Sequence, residues 1–387
     1  MSENFVKRIL KINPPRSRSA FLWGPRKTGK TTILKQQFSE ALWIDLLDYN
    51  VYFNFNKNPA QLREVISFSK NKNTVVIDEV QKIPALMDEI QWNIQNRRNI
   101  QFILCGSSAR KLKRNNVGLM GGRALRYELF PLVSKEIGID SINLDKILLY
   151  GMIPAHYFSG DPEMELKSYV NDYLKEEIQM EALTRNLSVF SKFLYSAALT
   201  NGMLLNYSNI ARECGVSVKT VREYYTILED TLIGRQIFPW RKSKKRRLIE
   251  TSKFFFFDVG ILTPLLGRKN LHPGTMEYGI AFEHFILQEC WAYSRYSKTD
   301  FPLYFYKTAS GNEVDMILGE GEVAVEIKSS ENSNYKLKGL HIFSEEFKPR
   351  KKIVVSRELF PRKLENGVEV WPWKEFLKAL WDGDIIN

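Results

Sequence analysis

Over the first 130 residues, continuous apolar runs of strand length alternate with segments whose apolar residues recur at helical spacing. SAFLW (19–23), ALWIDL (41–46), TVVIDEV (74–80) and IQFILCG (100–106) are the strand candidates. TTILKQQF, NPAQLREVISF and PALMDEIQWNI lie between them, with Pro59 and Pro84 near the starts of the last two, where a proline is tolerated. Strand, helix and strand repeated in this way predict a parallel sheet covered on both faces. From about 140 to 235 the pattern is helical throughout. After a basic stretch come FFFFDVGIL and, from about 275, a helix followed by short strands. The expected division is 1–140, 141–270 and 271–387, within an α/β chain.

Composition narrows the class. The chain of 387 residues is 44% apolar and 26% charged, which excludes a disordered chain, a collagen-like fibre and a small disulfide scaffold. No run reaches the roughly 18 apolar residues of a membrane span. MSENFVKRIL lacks the apolar stretch of a signal peptide, so a cytoplasmic protein with no membrane partner is expected. Cys105, Cys214 and Cys290 are too scattered for a disulfide frame or a metal site.

Charge is more informative, because the net +12 is clustered. Residues 107–126 carry Arg110, Lys111, Lys113, Arg114, Arg123 and Arg126 without an acid. Residues 235–253 carry Arg235, Arg241, Lys242, Lys244, Lys245, Arg246, Arg247 and Lys253 against Glu250. Clustered cations mark a polyanion partner, although a solvated loop has the same composition.

GPRKTGKT at 24–31 follows an apolar strand and opens a helix, the setting in which a phosphate-binding loop is credible. Gly24, Pro25, Arg26, Lys27, Thr28 and Gly29 would curl the backbone so that its N–H groups face phosphate oxygens. Lys30 offers a point charge to the β and γ phosphates, Thr31 a hydroxyl to Mg²⁺, and Thr32 is a further nucleotide-binding candidate. In TVVIDEV the apolar run delivers Asp78 to the strand end, where it can reach Mg²⁺, and Glu79 can polarise the attacking water. Ser107, after the next strand, is either a γ-phosphate sensor or a turn residue. Arg123, behind Gly121-Gly122, is a candidate arginine finger for a neighbouring subunit, with Arg126 as its competitor.

Residues 208–229, SNIARECGVSVKTVREYYTILE, read as a helix-turn-helix with a turn at Gly215 and a cap at Ser217. Lys219 and Arg222 would face outward on the second helix, and Arg241, Lys242, Lys244, Lys245, Arg246 and Arg247 lie where a wing would extend. A DNA-binding module and a packing module both fit this pattern. Further on, GNEVDMILGEGEVAVEIKSS predicts a hairpin turning at Glu320-Gly321. That register sets Asp315 opposite Glu326 and Glu313 opposite Lys328, with Val314, Met316, Leu318, Val323, Val325 and Ile327 on the other face. Asp315 and Glu326 could hold Mg²⁺, Lys328 could stabilise transition-state charge, and Glu283 on an upstream helix could complete a nuclease centre. An ordinary polar hairpin face is the alternative.

Together GPRKTGKT, VVIDEV, CGSSARKL, GGRALRYELFPL, the helix-turn-helix and FEHF…EVDMIL…VEIKSS resemble the prokaryotic ATPases that join an AAA-type P-loop domain to a C-terminal PD-(D/E)XK nuclease-like domain. The resemblance implies an AAA-like parallel-sheet domain, a helical lid and winged-helix region, and an α/β nuclease-like domain. It also implies ATP hydrolysis between subunits of a homo-oligomer, with a hexamer as the candidate size. Lys30 and Thr31 would bind ATP and Mg²⁺, Asp78 and Glu79 would hydrolyse it, and Arg123 would be the finger. Glu283, Asp315, Glu326 and Lys328 would form the nuclease centre. YGMIPAHY at 150–157 carries no lid sensor arginine, a departure from the pattern. The expected function is an ATP-driven machine that translocates on or remodels duplex or branched DNA, including Holliday-type junctions. The rivals are a signalling or defence ATPase and a protein-remodelling ATPase, each with a nuclease-like domain that only binds a partner.

Overall fold

Five strands, β1 (Ser19–Trp23), β2 (Leu42–Asp45), β3 (Thr74–Asp78), β4 (Gln101–Gly106) and β5 (Ala124–Glu128), pair in the order β2-β3-β4-β1-β5. Every neighbouring pair is parallel. The inner strands are buried along their whole length or nearly so, which is why their sequences run continuously apolar instead of alternating. Helices Lys30–Gln37, Gln61–Phe68 and Leu86–Asn96 fall where the spacing places them. A further helix, Tyr49–Lys57, starts at Asp48, whose carboxylate accepts from the amides of Asn50 and Val51. Phe21, Ile44, Phe55, Leu62, Ile77, Met87 and Phe102 share one apolar core.

The structure, a computed structural model, describes residues 6–69, 72–97, 99–108, 124–174, 187–242, 248–331 and 335–386. It divides into two compact units. The first comprises Arg8–Phe130 and Ile227–Ile233, and the second Met1–Lys7, Pro131–Thr226 and Gly234–Asn387.

The second unit begins with short helices, among them Leu144–Tyr150 and Pro162–Ser168, then Leu187–Leu199 and the predicted helix-turn-helix. In that motif Tyr207–Cys214 ends on left-handed Gly215 (φ +68°), and Ser217 Oγ accepts the amide of Thr220 at 3.1 Å as the next helix, Val218–Asp230, begins. Ile210, Ala211, Val221 and Tyr225 are buried as expected, while Val216 is half-buried.

β6 (Gly234–Pro239) and β7 (Lys253–Phe256) form the hairpin that the sequence places as a wing. β6 also runs parallel to β8 (Leu303–Lys307) through Phe238 and Pro239. The wing is therefore one edge of a larger sheet, continued by β9 (Glu313–Leu318), β10 (Val323–Lys328), β11 (Lys351–Ser356), β12 (Arg362–Lys363) and β13 (Glu369–Pro372). The eight strands run β12-β13-β11-β10-β9-β8-β6-β7, with helices Met276–Tyr296, Lys338–Phe347 and Trp373–Asp382 in the same unit. Strands from 141–270 and 271–387 thus share a sheet, through a pairing between distant segments that local periodicity does not carry. Among the described residues no helix is long and apolar enough to cross a membrane.

Candidate functional site

β1 delivers its C-terminal end to the GPRKTGKT loop, and Trp23 O there accepts the amide of Leu129 at 2.7 Å. A Cβ on Gly24 would stand 2.6 Å from Leu129 O, so the backbone passes too close for any other residue. Lys27 (φ +61°) and Gly29 (φ +92°) are both left-handed, a curl that turns successive amides to one side. Gly29 is the N-cap of helix Lys30–Gln37, whose dipole adds to those amides. Thr28 Oγ1 donates to Pro25 O at 2.8 Å and locks the curl. Lys30 is buried, its Nζ donating to Gly24 O at 2.8 Å and Pro25 O at 2.9 Å. Thr32 is exposed on the helix. Sequence reasoning missed Arg8, which donates to Thr28 O at 2.6 Å and Phe130 O at 2.7 Å and so braces the loop from outside the motif.

At the end of β3, Asp78 is 1% exposed, and its Oδ2 accepts the Thr31 hydroxyl at 2.6 Å. Asp78 Oδ1 accepts the amide of Glu79 at 3.0 Å. Glu79 is left-handed (φ +57°), uncommon for a residue with a side chain and costly enough to need support from its surroundings. That support includes Gln81, whose Nε2 donates to Glu79 Oε2 at 2.5 Å and to Ser107 Oγ at 3.1 Å. Gln81 was not read from the sequence, where nothing separates it from an ordinary polar residue. Burial lifts the Glu79 pKa above its ordinary value, with Lys30 and Arg26 opposing and Asp78 reinforcing the rise. Ser107 and Ser108 are buried beside this group at the end of β4. Thr31 and Asp78 bring two oxygen donors together at the start of a helix. That donor set fits Mg²⁺, which takes few protein ligands beside water and phosphate oxygens. Arg123 lies outside the described residues, and Arg126 is exposed on β5.

The second unit assembles the other predicted group. β9 and β10 pair Val323 with Leu318, Ala324 with Ile317 and Val325 with Met316, the expected register. The face assignment needs correction, because Ile317 and Ala324 are buried with Val314, Leu340 and Phe343. The hairpin is apolar on both faces near its turn, and its charged residues gather at the far end. There Asp315 Oδ2 accepts the amide of Ile327 at 2.7 Å, and Lys328 Nζ donates to Glu326 Oε1 at 2.5 Å. Glu326 Oε2 is buried with no hydrogen-bond partner.

Lys253 of β7, counted in the sequence only as part of a basic window, is the member that was missed. Its Nζ lies 2.8 Å from Glu313 Oε1 and 3.2 Å from Glu283 Oε1, and Glu313 Oε2 accepts from Lys307 at 2.6 Å. Burial alone would depress the Lys253 pKa, but Glu283, Glu313 and Asp315 outweigh it, and the ammonium is held charged. Burial raises Glu283 to about 7 against the pull of Lys253. Burial and then Asp315 raise Glu326 to about 8. Among the described residues no three of His, Cys, Asp and Glu are placed to hold a metal ion. In the folded group the Lys253 ammonium lies against Glu283 and Glu313, and the Lys328 ammonium against Glu326.

Of the predicted nucleic-acid contacts, Lys219 is exposed and the Arg222 guanidinium lies 4.2 Å over the Tyr207 ring. Arg241 donates to Glu250 O at 3.1 Å, and Lys242 pairs with Glu320. Lys244, Lys245, Arg246 and Arg247 lie outside the described residues. Two cations of the same window turn inward: Lys253, and Arg235, whose guanidinium stacks 3.8 Å over Trp291.

The parallel sheet, the loop at 24–31 and the acid pair ending β3 define a P-loop ATPase domain of the AAA type. Residues 16–138 match the protein family described as "AAA domain". Residues 142–272 and 278–376 match two families each described as a domain of unknown function, DUF8612 and DUF4143. An uncharacterized Mycobacterium tuberculosis protein is 24% identical over 306 residues, covering 76% of this chain and 66% of that protein's own length. An uncharacterized Haemophilus influenzae protein is 23% identical over 287 residues, 67% of this chain and 72% of the relative. Among solved structures, the replication initiator DnaA bound to AMPPCP and single-stranded DNA overlaps 55% of this chain and 82% of its own, at 15% identity and a TM-score of 0.28. A signal-transduction ATPase of the STAND class from Pyrococcus horikoshii overlaps 73% of this chain and 46% of its own, at 13% identity and a TM-score of 0.21.

Proposed function

We propose that the chain hydrolyses ATP at the 24–31 loop and uses the cycle to act on DNA held by its second unit. The observation that carries the first half is the Thr31–Asp78 hydrogen bond of 2.6 Å, with Glu79 next in the chain. The amides around Gly29 and the Lys30 ammonium bind the β and γ phosphates. Thr31 and Asp78 would hold Mg²⁺, which would supply charge neutralisation to the phosphates. Glu79 orients the attacking water and takes its proton, for which a carboxylate lifted by burial is better matched than an exposed one. Ser107 registers the γ-phosphate, a reading supported by its tie to Glu79 through Gln81. Arg123 of a neighbouring subunit completes the charge stabilisation, which makes the active form an oligomer.

The DNA half rests on the helix-turn-helix with exposed Lys219 and on the basic run 241–247 of the sequence that follows it. The way Lys253 fills the carboxylate cluster favours a C-terminal domain that binds without cutting. ATP turnover measured with no DNA, single-stranded DNA, duplex and a four-way junction tests the coupling. Stimulation by at least one of them is expected. No stimulation and no binding by any would leave a signalling or protein-remodelling ATPase in its place.

A further inference from the structure

We infer that Arg8 is a positioning residue of the phosphate loop, whose guanidinium holds the Thr28–Gly29 peptide so that the Gly29 amide is aimed at the phosphates of the nucleotide. The inference deepens the ATP-hydrolysis reading and rests on it. Arg8 lies ahead of residues 16–138, the stretch that matches the AAA family. Its fork divides between two carbonyls: one terminal nitrogen donates to Thr28 O at 2.6 Å and the other to Phe130 O at 2.7 Å. A guanidinium is rigid and planar, so two such bonds fix its plane as well as its place. Among the described residues no peptide bond is cis, and in a planar trans peptide the C=O and the following N–H point in opposite directions. Gripping Thr28 O on one side therefore turns the Gly29 N–H to the other, at the residue that caps helix Lys30–Gln37.

Both ends of this grip are tied to the scaffold. Phe130 follows Leu129, whose amide donates to Trp23 O at the end of β1, so Arg8 fixes the loop relative to the parallel sheet. Arg8 itself opens a segment pinned to the helix that the loop begins: Gln37 Oε1 accepts the amide of Ile12 at 2.9 Å, and Gln37 Nε2 donates to Leu10 O at 2.8 Å. Leu10 and Ile12 are buried. The guanidinium also brings a positive charge to the loop, which adds to its attraction for an anion.

The experiment titrates full-length chains with ATP and with tripolyphosphate, which carries the phosphates without base or ribose, and measures KM and kcat for ATP. Arg8→Ala is expected to weaken both ligands by about tenfold or more, the scale of one lost hydrogen bond to a charged group. KM should rise by a similar factor, while kcat at saturating ATP changes far less. Arg8→Lys keeps the charge and one donor and should bind between Arg8→Ala and the unaltered chain. Gln101→Ala controls for the fold of the segment: Gln101 donates to Pro14 O, Pro15 O and Arg18 O at its far end, and its loss should leave both affinities in place. A folded Arg8→Ala that binds both ligands as the unaltered chain does overturns the inference alone, as does an equal loss in Gln101→Ala. Should Arg8→Ala not fold, Arg8→Lys decides: weaker binding of tripolyphosphate supports the inference and unaltered binding overturns it. Binding of neither ligand by the unaltered chain removes the ATP-hydrolysis reading, and the inference with it.

Discussion

Thr31 Oγ1 donates to Asp78 Oδ2 at 2.6 Å across 47 residues of chain, joining the first turn of the helix after β1 to the end of β3. Both groups are oxygen donors of a kind Mg²⁺ accepts, and replacing Thr31 by Val keeps the volume while removing one of them. Thr31→Val should bind nucleotide in the absence of Mg²⁺ much as the unaltered chain does. The Mg²⁺ concentration for half-maximal turnover should rise about tenfold or more, the scale expected when a ligand of an ion is removed. An unchanged Mg²⁺ requirement would place the ion elsewhere.

Gln81 holds Glu79 Oε2 at 2.5 Å and lowers that carboxyl's pKa against the rise caused by burial. Gln81→Ala removes the lowering contribution, so the acid limb of the turnover–pH profile should move to higher pH. Turnover should fall on the acid side of the profile and change little on its alkaline plateau. A limb that stays in place would make Gln81 a packing residue.

If residues 241–247 neutralise DNA phosphates, each cation removed should flatten the slope of log affinity against log salt by about 0.9 on duplex. Replacing Lys244, Lys245, Arg246 and Arg247 with Ala should flatten it by up to about 3–4. Arg235 and Lys253 are the contrast within the same charge window, since one stacks on Trp291 and the other is buried among carboxylates. Arg235→Gln should leave the slope unchanged. A quadruple variant with an unaltered slope would reduce the run to a solvated loop.

Glu289 is buried and accepts from Ser134 N, Ser134 Oγ and Trp381 Nε1, and burial raises its pKa from 4.5 to about 7. Between those two values the folded chain keeps a proton that the unfolded chain has released. The contribution is present below the lower value and disappears as pH rises through the upper one, so stability declines across the window. One such proton gives a slope of about 1.4 kcal/mol per pH unit. Denaturant melts from pH 4.5 to 7.5 should show the decline, flatter in Glu289→Gln. An equal slope in both would assign the linkage to other buried acids, such as Asp258.

Much of the site was legible in the sequence because it is local. Gly24 through Thr31 form one loop, Asp78 and Glu79 end one apolar strand, and the β9–β10 register follows from one turn. Contacts between distant segments were not legible. Lys253 sits in an aromatic strand whose pattern carries no sign of Glu283 or Glu313, and the β6–β8 pairing joins segments that local spacing cannot relate. Arg8 reaches the phosphate loop from a segment with no motif of its own. Helix Tyr49–Lys57 (YNVYFNFNK) was hidden for another reason: its Asn and aromatic residues are poor helix formers, and the Asp48 cap supports its start.

The most direct test of the account is ATP binding and phosphate release measured on the unaltered chain and on Glu79→Gln. Glu79 is placed to activate water without holding the phosphates, so the variant should bind ATP with affinity within about twofold of the unaltered chain and release phosphate at least about a hundredfold more slowly. Equal phosphate release by the two proteins would contradict hydrolysis at this site.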